Sequence, residues 1–388
     1  MGRVSEGLVA TFQLLSKTSN EAATRVLIRA LDSPHRLIQE CALETILSRR
    51  SEAGHLEILR RLDGVNDRWE RIIAHYPGRM SRALRSAILS PDHQVCSDGC
   101  RSAVSFHAYD LVPTLVAALE GPPNKNTNLI GDTLIELARH LQAELSGLYN
   151  NGNRSDLETV WRYLVSTLEL SLQRFSRHHR REIGEAFLLL ASKDNALLKN
   201  IMQDPDHPAF VTIGAIFSGS QQEGVIGLLV SLLEDPRVPS VALSAIVQRT
   251  DPKFVDYLLK DISSEPSASK LSNLKRITDI GWLNNAQAIL SELDDESQQG
   301  AVNFLTHSGL PRVEALNLIV YLVENGKPGG RRAAAVALGE YDSNILRSAL
   351  RRSTSDDQSP SVREVAEKSL EKLGRSSEGK GPVSDPKD

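Results

Sequence analysis

Apolar residues along the chain recur at three- and four-residue steps, the spacing of one face of an α-helix, in one segment after another. The clearest segment runs from Pro360 to Gly374, where Val362, Val365, Ala366, Ser369, Leu370 and Leu373 form one stripe between charged positions. Ser359 stands where an N-cap accepts a backbone N–H, and Pro360 fits the first helical position, where a missing N–H costs nothing. Gly374 suits the left-handed conformation that ends a helix. Residues 20–50 predict a helical hairpin. Val26, Leu27, Ala30 and Leu31 face inward on its first helix, Asp32-Ser33-Pro34 makes the turn, and Ile38, Cys41, Ala42, Thr45 and Ile46 line the second. Leu129 to Leu148 is periodic through Ile130, Leu134, Leu137, Ala138, Leu141 and Leu145. No segment sustains period-two alternation, so the pattern predicts an all-α protein with essentially no sheet.

Helices this short cannot hide an apolar stripe alone and need neighbours of the same kind. A recurrent unit supplies them: proline, a bulky apolar residue two positions on, and a small residue six positions on. It appears at Pro208/Phe210/Gly214, Pro239/Val241/Ala245 and Pro360/Val362/Ala366, while Pro311/Val313 keeps the first half and has Asn317 at the small position. A small residue there lets the second helix of one pair approach the next pair closely.

Helical pairs whose second member opens Pro-x-Val and continues to Ala, as in Pro360-Ser361-Val362-Arg363-Glu364-Val365-Ala366, resemble HEAT repeats. The Ala-rich run Arg331 to Gly339 resembles the same family. The resemblance covers residues 329–374 best and extends to 22–50 and 225–262; elsewhere it rests on periodicity alone. It implies a right-handed α-solenoid of stacked antiparallel helix pairs, of HEAT/armadillo type, with roughly eight units of ~40–47 residues. Layers ~8–10 Å apart would build a curved rod with one concave face. On this reading residues 1–148 hold N-terminal repeats and Tyr149 to Ser155 is an Asn/Gly-rich loop. Residues 156–374 continue the array, and 375–388 form a disordered tail with almost nothing to bury. The architecture implies a non-enzymatic scaffold or adaptor that holds another protein by many modest contacts. Resemblance to repeat proteins that cradle duplex DNA implies nucleic-acid backbone binding as the alternative. Some bilin-attaching lyases also resemble HEAT-like arrays, and we find no residue set here to carry that chemistry.

Composition narrows the picture further. In 388 residues, 40% hydrophobic and 24% charged content is that of a folded, water-compatible chain, and 5% aromatics favours helix-on-helix packing. A formal charge of −4 argues against a dedicated nucleic-acid binder, though not against a local basic patch. Three cysteines, Cys41, Cys96 and Cys100, make no disulfide framework. Met1 to Asn20 lacks the pattern of a signal peptide, and no run approaches the ~18–20 apolar residues of a membrane span. The expectation is therefore a cytoplasmic protein with no membrane partner.

Two kinds of cluster carry candidate chemistry. His93, Cys96 and Cys100 lie at i, i+3 and i+7 on one helical face, with His107 beyond it. Zinc would prefer that donor set, yet buried cysteine fits the same stripe as a small hydrophobe, and the spacing matches no finger or ribbon. Basic residues gather in three groups: Arg79, Arg82 and Arg85; Arg174, Arg177, His178, His179, Arg180 and Arg181; and Lys327, Arg331 and Arg332 beside Gly329-Gly330. The last group sits at a predicted helix N-terminus, which favours an anion. Aligned on one face, such ridges would track phosphates or an acidic partner. Solvated charge is the competing reading, given Asp67 and Glu70 near the first group and Glu182 and Glu185 near the second. Phosphate-loop, nucleophile-elbow and His-Glu-x-x-His patterns are missing from the sequence, so no catalysis, cofactor or small-molecule substrate is expected. Trp69, Trp161 and Trp282 fall within apolar periodicity and read as core.

Overall fold

A computed structural model describes residues 6–49, 51–62, 67–76, 78–147, 154–263, 266–341 and 344–378. The described residues form twenty-four α-helices, with three short 3-10 turns and no strand among them. The fold is an all-α stack of antiparallel helix pairs. Side-chain caps start many of the helices: Asp92 accepts from Gln94 N and Val95 N, Asn195 from Leu198 N, and Asp294 from Ser297 N.

The chain divides into two compact units, Met1–Ala191 and Ser192–Asp388. The loop expected at 149–155 falls mostly outside the described residues, and the helix that follows it, Arg154–Leu172, packs within the first unit. In that unit the helices alternate between two layers. Glu21–Leu31, Glu52–Arg61, Ser81–Ile88, Val112–Glu120 and Arg154–Leu172 make one. Glu6–Lys17, Arg36–Arg49, Asp67–Ala74, His93–Ser105, Thr127–Leu145 and Arg181–Leu190 make the other. In the second unit Pro252–Ser263, Asp295–His307, Pro328–Leu338 and Pro360–Glu378 pack side by side, facing a row of Ala286–Glu292, Arg312–Asn325 and Asn344–Asp356.

The small positions act as the sequence predicts. A Cβ at Gly214 would stand 3.0 Å from Val241 Cγ2, so the small residue of one unit receives the bulky residue of the next. The tightest approach is at Gly300, where a Cβ would land on the Leu259 carbonyl. Val362 and Ala366 are fully buried, and Ser369 and Leu373 nearly so. Val313 differs from expectation and is 72% exposed. Ala315, Leu318, Ile319, Leu322 and Val323 are buried instead, and at 100° per residue position 313 falls on the opposite side of the helix.

Polar side chains tie successive layers together. A helix C-terminus leaves carbonyls without intrahelical donors, and residues from the next pair supply them. Arg49 bonds Leu15 O and Thr18 O, Asn126 Nδ2 donates to Ser90 O (3.1 Å), and Arg180 Nε donates to Leu119 O (2.8 Å). Asn273 Nδ2 reaches Leu233 O (2.9 Å) and Asp235 O (2.8 Å). Arg249 is the extreme case, with no side-chain exposure. It donates to Phe217 O and Ser220 O (2.9 Å each), pairs with Asp251 (2.9 Å) and lies over the Phe254 ring.

Two end signals of the last helix behave differently from expectation. The Ser359 hydroxyl meets the Ser361 hydroxyl (3.0 Å) and caps no backbone N–H, while Ser359 N donates to Asp357 Oδ1 (2.8 Å). Gly374 does not end the helix, which continues to Glu378; Arg347 Nη2 donates to Leu373 O (3.2 Å) beside it. The remaining tail, 379–388, lies outside the described residues.

Candidate functional site

The second layer of the first unit is interrupted. Asp67–Ala74 has 8 residues, against 14 in Arg36–Arg49 and 13 in His93–Ser105. Among the described residues it is shorter than either neighbour by more than one turn. It packs on Arg36–Arg49 and only sparsely on His93–Ser105. The sequence explains the early end: Pro77 biases the preceding residue away from helical backbone, and Gly78 takes a left-handed φ of 72°.

The opposite wall is set by the end of His93–Ser105. His107 N donates to Val104 O (3.0 Å) and Ala108 N to Ala103 O (2.9 Å), with His107 left-handed at φ 47°. This is a Schellman stop with histidine where glycine is usual. It directs Phe106 and Ala108 toward the gap and carries the His107 ring to Glu144 on the next helix of the layer (2.6 Å). Glu144 also accepts from the Tyr109 hydroxyl (2.9 Å), and the His107 and His140 rings lie 4.8 Å apart. Burial and the Glu144 hydrogen bond push the Tyr109 phenol up, and burial with the nearby His107 pulls His140 down.

Between these walls lies a cleft of about 680 Å³. Buried Ile73, Met80 and Leu84 and half-buried Phe106 make its apolar floor. Glu70, Arg71, Tyr76, His107 and Asp110 rim it. Charges just outside are paired within the chain, Arg68 with Glu40 and Arg82 with Glu52 (2.8 Å each). Among the described residues Glu70, Arg71 and Asp110 make no ion pair. Ser81 and Ser105 also line the cleft, and neither bonds His107, so it holds no nucleophile–base pair among the described residues.

The sequence-predicted residues are placed as follows. Arg79 sits in the turn before Ser81–Ile88, not on that helix. Arg82 reaches back to Glu52, and Arg85 reaches forward to Thr114 Oγ1 (3.2 Å). Arg174 pairs with Glu120 (2.7 Å), Arg180 caps Leu119, and Arg181 lies 3.9 Å from Glu185, while Arg177 is exposed. At Pro328–Leu338 the helix N-terminus already has its anion: Asp295 Oδ1 accepts from Gly329 N (2.7 Å) and Gly330 N (3.1 Å). Lys327 N donates to Gln298 Oε1 (2.6 Å), Arg331 pairs with Asp357 (2.7 Å), and Arg332 is exposed.

The metal candidates do not converge. Cys96 Sγ donates to Ile88 O (3.3 Å) and lies 4.0 Å from Cys100 Sγ, both thiols buried. Its hydrogen bond with Cys100 and its burial push the Cys96 thiol up, and the same hydrogen bond pulls the Cys100 thiol down. His93 Nδ1 bonds Asn126 Oδ1 (2.8 Å), and His107 bonds Glu144. Among the described residues no group of three or more His, Cys, Asp or Glu side chains is arranged to hold a metal ion, and no helix is long and apolar enough to cross a membrane.

The family model for HEAT repeats matches residues 285–371. Residues 285–371 belong to the HEAT-repeat family. These HEAT pairs include the Pro360 helix and the Ala-rich Arg331–Gly339 run on which the resemblance rests. No curated protein matches the chain. Among solved structures it is similar to Kap121p, at 10% identity and a TM-score of 0.37, over 95% of this chain and 45% of that one. It is similar also to Kap95p, the yeast importin-β, in a structure concerned with RanGDP: 15% identity, TM-score 0.33, over 96% and 57%. The UNC-45 chaperone, which binds and folds muscle myosin, follows at 14%, 0.30, 95% and 48%. The chain thus spans 45–57% of the length of these three, and the likenesses carry no argument about function.

The cleft lies in the first unit, on residues outside the matched segment 285–371. One signal for it was present: Pro77-Gly78 closes an apolar pattern only eight residues after Trp69. Nothing in the sequence marked His107 as a left-handed stop.

Proposed function

We propose that the chain is a non-enzymatic protein-binding scaffold, and that it engages its partner at the cleft between Asp67–Ala74 and His93–Ser105. One observation carries this reading: the layer opens into a cleft whose rim charges Glu70, Arg71 and Asp110 make no ion pair among the described residues. Apolar anchors entering such a cleft supply most binding energy at protein interfaces, and the polar rim supplies orientation.

Phosphate tracking along the basic groups draws less support. Arg82, Arg174 and Arg331 meet the chain's own carboxylates, and Arg180 is consumed by a carbonyl. The test is affinity capture with the full chain, followed by reconstitution from purified components. The scaffold reading predicts a stoichiometric protein that binds with modest salt dependence and is lost when Ala74→Trp fills the cleft. Binding of duplex or single-stranded nucleic acid that collapses between low and moderate salt, with no protein recovered, would overturn it.

A further inference from the structure

A tight turn of the first unit, away from the cleft, joins three helix ends. Arg154–Leu172 stops, a single helical turn follows at Phe175–His178, and Arg181–Leu190 begins three residues later. His178 bonds both of the longer helices. Its Nδ1 accepts from Arg180 N (3.0 Å), the residue that opens Arg181–Leu190, and its Nε2 lies 3.1 Å from Ser171 O. A backbone amide only donates and a backbone carbonyl only accepts. The two contacts therefore fix one state of the ring, Nε2 protonated and Nδ1 bare, which is the neutral imidazole. His179 between the bonded residues is left-handed at φ 51°, uncommon for a residue with a side chain, so the turn depends on such contacts to stay closed. Arg180 Nε donates to Leu119 O (2.8 Å) and Arg174 pairs with Glu120 (2.7 Å), which fastens the same turn to the end of Val112–Glu120.

We infer that His178 is a proton-operated latch: neutral, it closes the turn by joining Ser171 to Arg180; protonated, it gives up the Arg180 amide for the Glu120 carboxylate and loosens the basic turn. The sign follows from the hydrogen bonds. A proton on Nδ1 meets the Arg180 N–H donor against donor, so the charged ring cannot keep the contact that the neutral ring makes. Histidine is the side chain that ordinarily changes charge between pH 5 and 8. A receiver for the charged ring stands ready. Burial pushes the Glu120 carboxyl up, but hydrogen bonds from Arg174 and Ser171 and the nearby His178 charge outweigh it and hold it below its ordinary value. Glu120 is therefore ionised wherever a histidine titrates. Arg174 and Arg180 repel the charged ring, Arg177, His179 and Arg181 share its turn, and Glu182 packs instead against Gly131 of Thr127–Leu145. An imidazolium at Glu120 competes with Arg174, and releases it beside exposed Arg177 and Arg181. Buried Phe175 meets the His178 and His179 rings edge to face (5.3 and 5.6 Å between centroids), so movement of one ring is felt across the turn.

The test uses the full chain, with nitrogen-labelled histidine for NMR and with hydrogen–deuterium exchange at pH 7.5 and 5.5. At pH 7.5 the His178 ring, assigned by its disappearance in His178→Asn, is expected as the Nε2-protonated tautomer. Exchange is corrected for the intrinsic effect of pH, and residues 130–141 serve as the reference for opening of the whole unit. Between pH 7.5 and 5.5 residues 171–181 are expected to lose protection on the order of tenfold or more relative to that reference. His178→Asn keeps a side-chain acceptor for the amide two residues on and takes up no proton, so its turn stays closed at both values. Glu120→Gln removes the charge that receives the ring and diminishes the loss while the tautomer at pH 7.5 stays the same. That half-buried, isosteric change stands even where His178→Asn perturbs the fold. An Nδ1-protonated ring at pH 7.5, equal protection at the two values, a loss that persists in His178→Asn, or one undiminished in Glu120→Gln overturns the inference. The scaffold reading rests on the cleft and is untouched by any of these results.

Discussion

At the scale of single residues, the clearest departure from surface behaviour is Arg249. Its guanidinium has no exposed area and satisfies two carbonyls, one carboxylate and one ring at once. Arg249→Met removes the donor from Phe217 O and Ser220 O and the cation from half-buried Asp251, and removal of one partner from such a set costs about 3–5 kcal/mol. The expected outcome is an unfolding free energy, read by chemical denaturation, well below wild type, whereas Arg177→Met, on an exposed side chain, changes it by less than about 0.5 kcal/mol. His55 gives a pH prediction. It is 3% exposed, its Nε2 has no partner, and burial pulls it below the ordinary value of 6.5 despite a hydrogen bond with the Ile46 backbone. The unfolded chain binds the proton more readily, so stability is full above pH 6.5 and is lost as pH falls below it. Denaturation midpoints between pH 7.5 and 5.5 should decline, and the decline should shrink in His55→Gln. Neither residue is legible in sequence, because charge and imidazole report chemistry and not depth.

At the scale of elements, sequence and structure agree where the apolar stripe is unambiguous. The Pro360 helix buries Val362, Ala366, Ser369 and Leu373 as its spacing demands, and Leu129 to Leu145 does the same through Ile130, Leu134, Leu137, Ala138 and Leu141. Ends were less legible. Gly374 permits a stop without requiring one, and the helix runs on to Glu378; Val313 belonged to a recurrent unit in sequence, yet the stronger stripe from Ala315 to Val323 turned it outward. Close helix approach gives the prediction at this scale. Gly300→Ala drives a methyl into the Leu259 carbonyl on Pro252–Ser263, so the two helices must separate. Overpacking of this kind costs about 1–3 kcal/mol. Urea denaturation should register that loss, while Gly219→Ala, with open space around its Cβ, should register no loss of that size.

At the scale of the molecule, repetition makes the fold readable and the site obscure. Each helix pair obeys the same rule, so period and turn residues sufficed for an all-α stack. A binding site in such a protein is a place where the rule lapses, here an eight-residue helix and a stop built on histidine. The basic groups stood out in sequence because charge is conspicuous, but the carboxylates that meet them come from other repeats, as Asp357 does for Arg331 and Glu120 for Arg174. The decisive measurement is hydrogen–deuterium exchange on the full chain, with and without its captured protein. Protection concentrated in residues 70–76, 78–84 and 105–110, with 174–181 and 327–332 unchanged, is the predicted result. Protection at the two basic segments with the cleft left exchanging as in the free chain would contradict the account.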